Sequence, residues 1–313
     1  MSVPCGVMNR YKIDNELDVS KISIGADHFA TDIDKYTASR ILDKYTDLGG
    51  NFIDTANIYG KWVKGAGNAS EKFLGEWLKK TKKDVVIATK GAHYTFDAPH
   101  KMRLSETDIR CDLEESLRAL GRDCIDFYWL HRDDKSLPIG TILETMEKLK
   151  REGKIRLYGA SNFCAERLFE AEEYARTHGI RGFSAVSNQH SAAFVNRDHN
   201  TNPDKTLVIH GSAEEEFHIR TGTPLIPYQS TARGYFAKIA GGVDVSPELI
   251  RAYDNERTRA VYKDVLDLAA ERGCSVQSAS LLYLASSPYP VLPITSVKHP
   301  DLLDDIIYAM ENI

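Results

Sequence analysis

Residues 48–60 read LGGNFIDTANIYG, a stretch that predicts the end of a helix, a short buried strand and a polar turn. Before it, the apolar residues at positions 38, 41, 42 and 45 recur at the spacing of one helix face. The paired glycines at 49 and 50 are typical of a helix end. The apolar run then leads directly into the carboxylate of Asp54. The stretch therefore predicts one helix-strand unit whose strand ends in a charge.

The same alternation continues along the chain. The segment VVIATK ends at Lys90 and the segment IDFYWLH ends at His131. Ser105 followed by Asp108 is typical of a helix cap, and Thr141 followed by Glu144 repeats that spacing. Each apolar run is therefore expected to be a strand, with a helix between it and the next one.

Eight strands can be predicted in this way, at 21–25, 51–54, 85–89, 125–130, 155–160, 183–186, 224–228 and 290–293. Strands separated by single helices need right-handed crossovers, which give parallel pairing. The count of eight favours an α/β TIM (β/α)8 barrel that forms one domain over residues 1–313. An open doubly wound sheet is the alternative, but no Gly-x-Gly-x-x-Gly motif follows a strand to support it.

Composition narrows the classes of partner. The formal net charge of −5 disfavours nucleic acid and anionic membranes as partners. The five cysteines form no Cys-x-x-Cys pair, so we expect free thiols in a reducing compartment and no metal site. No signal peptide and no apolar run of membrane-spanning length is present, and a cytoplasmic location is expected. The oligomeric state is left open.

Four polar residues, Asp54, Tyr59, Lys90 and His131, lie at or just beyond the predicted strand ends. In a parallel barrel those ends form the catalytic rim. The charge of Lys90 can lower the pKa of Tyr59, and Asp54 can hold Lys90 in place. His131 can then hydrogen-bond a carbonyl oxygen while Tyr59 transfers the proton. Taken singly, each residue is as well explained by a cap, a core aromatic or a solvated end, but together they suit carbonyl reduction or its reverse.

Five ordered motifs carry a more specific resemblance: residues 54–60, 70–75, 89–91, 130–132 and 159–163. With them, the chain from about residue 21 to its C-terminus closely resembles the aldo-keto reductase superfamily. The resemblance implies a TIM barrel that binds NADP(H), with the four polar residues as the catalytic tetrad and Tyr59 as the general acid. It also implies a small-molecule carbonyl or alcohol as the substrate.

The resemblance extends to residues around the nicotinamide. Ser161 and Asn162 match the residues that hold its carboxamide, and Tyr228 matches the aromatic that stacks on its face. Ser187 stands where a glutamine often contacts the ring, although Asn188 and Gln189 follow directly.

Two further segments match contacts to the cofactor phosphates. Ala232, Arg233 and Gly234 resemble the loop that approaches the pyrophosphate. Ser296 and Lys298 lie in the segment that resembles the site of the adenosine 2'-phosphate. Lys298 takes the place of a common arginine, so its ammonium offers a point charge without bidentate geometry. NADP(H) is the expected cofactor, and its preference over NAD(H) is left open.

The substrate pocket is predicted less specifically. Trp62, His93, Tyr94 and Trp129 lie near strand ends and are expected to form its walls. The polar segment 192–211 is either a lid over the rim or a surface insertion. Charged residues directly after His131 favour a hydroxylated, sugar-like substrate over an apolar one. A nucleotide-sensing regulatory subunit on the same fold is the alternative function, and a purely structural barrel ranks third.

Overall fold

The computed structural model describes residues 8–99, 101–196 and 204–310. An antiparallel hairpin comes first, formed by β1 (Arg10–Ile13) and β2 (Leu17–Ser20). The strands that follow are β3 (Ser23–Gly25), β4 (Phe52–Asp54), β5 (Val86–Gly91), β6 (Ile125–Leu130), β7 (Ile155–Ser161), β8 (Val186–Ser187) and β9 (Ile294–Thr295). These seven form a parallel sheet in the order β8-β7-β6-β5-β4-β3-β9.

The extended segment 224–228 closes this sheet into a barrel. On one side, Val186 donates its amide to Pro224 O and receives that of Ile226. On the other side, the amide of Leu225 donates to Pro290 O, and the amide of Leu292 donates to Leu225 O. Because β9 also pairs with β3, the ring is complete. The predicted α/β TIM barrel is confirmed, and the open doubly wound sheet is wrong.

The predicted strands at 224–228 and 290–293 form only isolated bridges. Pro224, Pro227, Pro290 and Pro293 lie within these two segments. A proline has no amide hydrogen to donate to a ladder, so regular pairing is interrupted. The regular strand therefore begins later than predicted, at Ile294.

Helices alternate with the strands and cover the outside of the barrel. They are α1 (Lys35–Asp47), α2 (Ala69–Thr81), α3 (Glu106–Leu120), α4 (Ile139–Arg151), α5 (Ala165–His178), α6 (Ser212–Thr221), α7 (Tyr235–Ala240), α8 (Pro247–Tyr253), α9 (Glu256–Arg272), α10 (Val276–Ala285) and α11 (Leu302–Met310). The apolar face predicted for α1 is buried against the sheet. No helix of the described ranges is both long and apolar enough to cross a membrane.

The two predicted caps have different outcomes. Ser105 accepts the amide of Asp108 at the start of α3, as predicted. The cap predicted at Thr141 is wrong, because α4 already begins at Ile139. Pro138 precedes that helix, and its fixed φ suits a helix start. Thr141 therefore lies within the first turn.

The barrel interior is filled by apolar side chains that point inward from the strands. The cluster includes Phe52, Ala88, Phe127, Trp129, Leu157, Ala185, Ile226 and Leu292, joined by Ile13, Leu17 and Val19 of the hairpin. Arg156, near the start of β7, donates to Glu16 O in the hairpin turn. The hairpin therefore covers the end of the barrel at which the strands start, and it leaves the other end for the predicted rim.

Candidate active site

The four polar residues predicted from the strand ends converge at that rim. Asp54 ends β4, Lys90 lies near the end of β5, and His131 directly follows β6. Adjacent parallel strands bring these ends side by side. Tyr59 lies in the turn after β4, where its ring centre is 6.0 Å from that of His131.

Lys90 and Asp54 form an ion pair almost completely removed from water. The ammonium donates to the Asp54 carboxylate and to Thr55 O at 3.0 Å. The two side chains are 2% and 4% exposed. Burial raises the pKa of Asp54, and the ammonium of Lys90 acts in the opposite direction. Because two buried charges are tolerable only as a pair, neither can be removed alone without a large penalty.

Tyr59 lies beside this pair and remains protonated. Its hydroxyl is 3.4 Å from Lys90 Nζ. Burial, together with the carboxylates of Asp54 and Asp27, raises the pKa of Tyr59 well above its usual value. The expectation that this pKa is lowered is therefore wrong, because burial, followed by the charge of Asp54, raises it. A neutral phenol can donate a proton at neutral pH.

His131 is held neutral with one nitrogen open to the rim. Burial and the charges of His93, Arg132 and Lys90 lower its pKa well below the usual range. Its Nδ1 is buried without a hydrogen-bond partner among the described residues, whereas Nε2 is not sealed from solvent. The nitrogen with access is thus the one available to a ligand.

Ser161 and Asn162 follow β7 on the adjacent side of the rim. Ser161 Oγ donates to Ser187 O at 2.8 Å. Asn162 Nδ2 donates to His131 O at 3.2 Å, and its Oδ1 accepts from the Tyr228 hydroxyl at 2.6 Å. Ser187 Oγ is buried and has no partner in the described part of the chain. These residues therefore form one polar network next to His131.

Of the predicted phosphate-binding residues, Arg233, Ser296 and Lys298 are exposed, whereas Ala232 is buried. Ala232, Arg233 and Gly234 all have positive φ, which is unusual for the two residues with a side chain. Arg233 pairs with Glu248 at 2.8 Å. Ser296 donates to Asp27, and Lys298 is exposed.

The four predicted pocket residues separate into two groups. The Trp62 ring is 6.1 Å from that of Tyr59, the His93 ring is 4.7 Å from that of His131, and Tyr94 packs against His93. These three lie around the tetrad. Trp129 is fully buried in the barrel interior against Phe127.

Arg132 and Asp204 form a part of the rim that was not among the predicted site residues. Asp204 accepts from the Tyr94 hydroxyl at 2.8 Å and from Arg132 at 2.9 Å. Burial works against its charge, yet Thr206 and Arg132 bring the pKa of Asp204 to about 2. Only the position of Arg132 directly after His131 gave a signal. Residues 197–203 of the predicted loop lie outside the described residues, and α6 begins directly after Gly211.

The comparison with known families agrees with this geometry. Residues 21–312 match the model of the Aldo/keto reductase family. The chain belongs to this family. The uncharacterized oxidoreductase YrpG of Bacillus subtilis is 30% identical over 94% of this chain and 88% of its own length. Norsolorinic acid reductase stcV of Emericella nidulans is 26% identical over 94% of this chain and 78% of its own. Aryl-alcohol dehydrogenase GME11368 of Pestalotiopsis microspora is 28% identical over 88% of this chain and 69% of its own length.

Proposed function

We propose that the protein is an NADP(H)-dependent oxidoreductase that reduces the carbonyl group of a small, hydroxylated molecule, or oxidises the corresponding alcohol. The observation that carries the proposal is the contact of Tyr59 with the buried Lys90–Asp54 pair, beside the open nitrogen of His131. Oxidoreductases among the relatives support it.

The roles follow from which atoms can donate. His131 Nε2 carries the proton of the neutral ring, because an unpaired N–H at the buried Nδ1 would cost more than an unpaired acceptor. That N–H and the Tyr59 hydroxyl both bind the carbonyl oxygen. Tyr59 gives up its proton as the oxygen gains charge, and Lys90 stabilises the phenolate that remains. The raised pKa keeps Tyr59 protonated at neutral pH, which is the form that carbonyl reduction requires.

Residues at two ends of the rim fit a nicotinamide cofactor. The buried, unpartnered hydroxyl of Ser187 and the amide of Asn162 are suited to the carboxamide, with Tyr228 against the ring. The turn at Ala232, Arg233 and Gly234 would contact the pyrophosphate. Ser296 and Lys298, both exposed, would hold the 2'-phosphate. When bound, the cofactor supplies the hydride.

The substrate is proposed to be hydroxylated and sugar-like. The support is the polar wall formed by Arg132, Asp204 and Tyr94 next to His131. Buried polar groups of this kind favour ligands that can hydrogen-bond to them. The name of one relative, an aryl-alcohol dehydrogenase, points to an aromatic substrate instead, and the exposed ring of Trp62 is compatible with that class.

The proposal is tested with the isolated protein by NADPH absorbance against oxidised sugars, inososes, and aliphatic and aromatic aldehydes. NADPH and NADH are titrated side by side by fluorescence. We expect turnover of hydroxylated carbonyls and tighter binding of NADPH. Tighter binding of NADH would overturn the cofactor assignment. Tight NADPH binding with no turnover of any carbonyl would overturn the enzymatic function and favour a nucleotide-sensing subunit.

A further inference from the structure

His93 presents an unused hydrogen-bond acceptor beside the proposed carbonyl site. Its Nδ1 is 2.7 Å from Tyr94 O. A carbonyl oxygen only accepts, so Nδ1 must carry the ring proton and Nε2 must carry the lone pair. Nε2 has no hydrogen-bond partner within the described ranges, and it is not among the nitrogens sealed from solvent.

The backbone around His93 is held rigidly in this orientation. Arg103 donates to His93 O at 3.1 Å and to both carboxylate oxygens of Asp112 at 2.8 and 2.9 Å. Asp112 also accepts the amide of Ala92, which has a φ of 62°. The same buried carboxylate therefore fixes both sides of the turn that directs His93 towards His131. Such fixed polar groups are typical of sites that select a ligand.

The neighbouring space can take part of a ligand. The rings of His93 and His131 meet edge to face, with centres 4.7 Å apart. A cavity of about 330 Å³ lies on the far side of His93 from His131, and Lys90, His93 and Phe96 are among the described residues that line it, whereas Tyr59 and His131 are not. Burial and the charge of Arg132 lower the pKa of His93 to about 4, so the ring is neutral at neutral pH. Tyr59 and His131 thus offer hydrogen-bond donors to a ligand, and His93 beside them offers an acceptor.

We propose that His93 determines substrate specificity by accepting, at Nε2, a hydrogen bond from a hydroxyl group on the carbon next to the reacting carbonyl. The preferred substrates are then α-hydroxy aldehydes and ketones, and vicinal diols in the reverse direction. The inference rests on the proposed function, because it takes Tyr59 and His131 as the groups that bind the carbonyl oxygen.

The test compares two pairs of substrates that differ only in that hydroxyl: lactaldehyde with propanal, and acetoin with butanone. The value of kcat/KM with NADPH is measured for each member, and the ratio within a pair is the readout. We expect the wild type to prefer the hydroxylated member by about tenfold, the effect of one well-made neutral hydrogen bond. Because both members share one enzyme sample, the ratio is independent of the amount of active protein.

Variants of His93 test whether Nε2 causes the preference for the hydroxylated substrates. His93→Phe keeps a ring but removes the acceptor, and the ratio should fall to about one. His93→Gln restores an acceptor oxygen and should recover part of the ratio. His178→Phe makes the same chemical change at the end of α5, on the outer surface, and should retain the wild-type ratio.

The outcomes separate this inference from the proposed function. Equal turnover of both members by the wild type, or a ratio that His93→Phe leaves unchanged, would overturn the role of His93 and leave carbonyl reduction intact. No turnover of any member would overturn both. In His93→Phe, a rise in KM for the hydroxylated substrates alone would support the inference.

Discussion

At the ends of β4 and β5 the ionisable side chains of Asp54 and Lys90 are buried and paired with each other, whereas on the proposed phosphate side the ionisable side chains are exposed. Asp54 and Lys90 are 4% and 2% exposed, but Arg233 is 50% exposed. The first region therefore has its geometry set by the protein alone. The proposed phosphate side presents its charges to solvent, which suits the binding of a nucleotide that carries phosphate groups. The predictions below test whether this difference separates chemistry from cofactor binding.

The largest effect is expected from Tyr59→Phe. It removes the proposed proton donor but keeps the ring beside Trp62. We expect kcat to fall about 10³-fold, within the usual range for loss of a general acid. The Kd for NADPH should change little, because the phosphate-side residues are untouched. Steady-state kinetics and fluorescence titration measure the two quantities, and an equal loss in both would show that the two regions are not separable.

Lys90→Met should destabilise the fold as well as abolish turnover. It leaves Asp54 buried without a counter-charge, so we expect a loss of about 3–5 kcal/mol in the free energy of unfolding. The double variant Lys90→Met, Asp54→Asn should recover much of that stability without recovering activity. Urea denaturation measures the first and NADPH absorbance the second. A single variant as stable as the wild type would contradict the burial argument.

Three packed histidines make the stability of the fold sensitive to acid. The rings of His190, His210 and His218 lie 4.5 and 5.4 Å apart, and His210 hydrogen-bonds Tyr289. Burial lowers the pKa of His218 to about 4, below a typical unfolded value of about 6.5. The contribution of the neutral His218 to the free energy of unfolding is therefore complete above about pH 6.5 and is lost as the pH falls towards 4.

For one such histidine the loss at pH 5 is about 2 kcal/mol. Urea unfolding at pH 7 and pH 5 should show this decrease, and His218→Phe should reduce it. His178→Phe, at an exposed position, should leave it unchanged. Identical pH dependence in the two variants would remove His218 from the explanation.

The smallest effect is expected at Lys298. Lys298→Ala removes an exposed charge proposed for the 2'-phosphate, so NADPH affinity should fall about tenfold while NADH affinity stays constant. Lys298→Arg should bind NADPH at least as tightly as the wild type, because a guanidinium can bind phosphate in bidentate fashion. Parallel losses for both nucleotides would place the 2'-phosphate elsewhere.

Strand-end chemistry was the most predictable part of the molecule. Apolar runs that end in a single polar residue identified Asp54, Lys90 and His131, because parallel strands gather their ends at one rim. The run at 125–130 is buried throughout, so periodicity could not reveal that Trp129 faces the barrel interior. Helix α10 is also buried over most of its surface, so its sequence carries little helical periodicity.

Properties that depend on burial and on long-range contacts in the folded protein could not be predicted from the sequence. The sequence indicated that Lys90 would lower the pKa of Tyr59, but burial and then the charge of Asp54 raise it. The pairing of Arg132 with Asp204 joins residues 72 positions apart in the chain. Local spacing carries no information about such a contact.

The central claim is that the tetrad reduces a carbonyl with hydride from a nicotinamide. It is tested most directly by turning over a carbonyl substrate with NADPH deuterated at the transferred position and analysing the alcohol by mass spectrometry. We expect one deuterium on the carbinol carbon with the wild type and almost no labelled alcohol with Tyr59→Phe. Alcohol formed without deuterium, or formed equally well by both proteins, would contradict it.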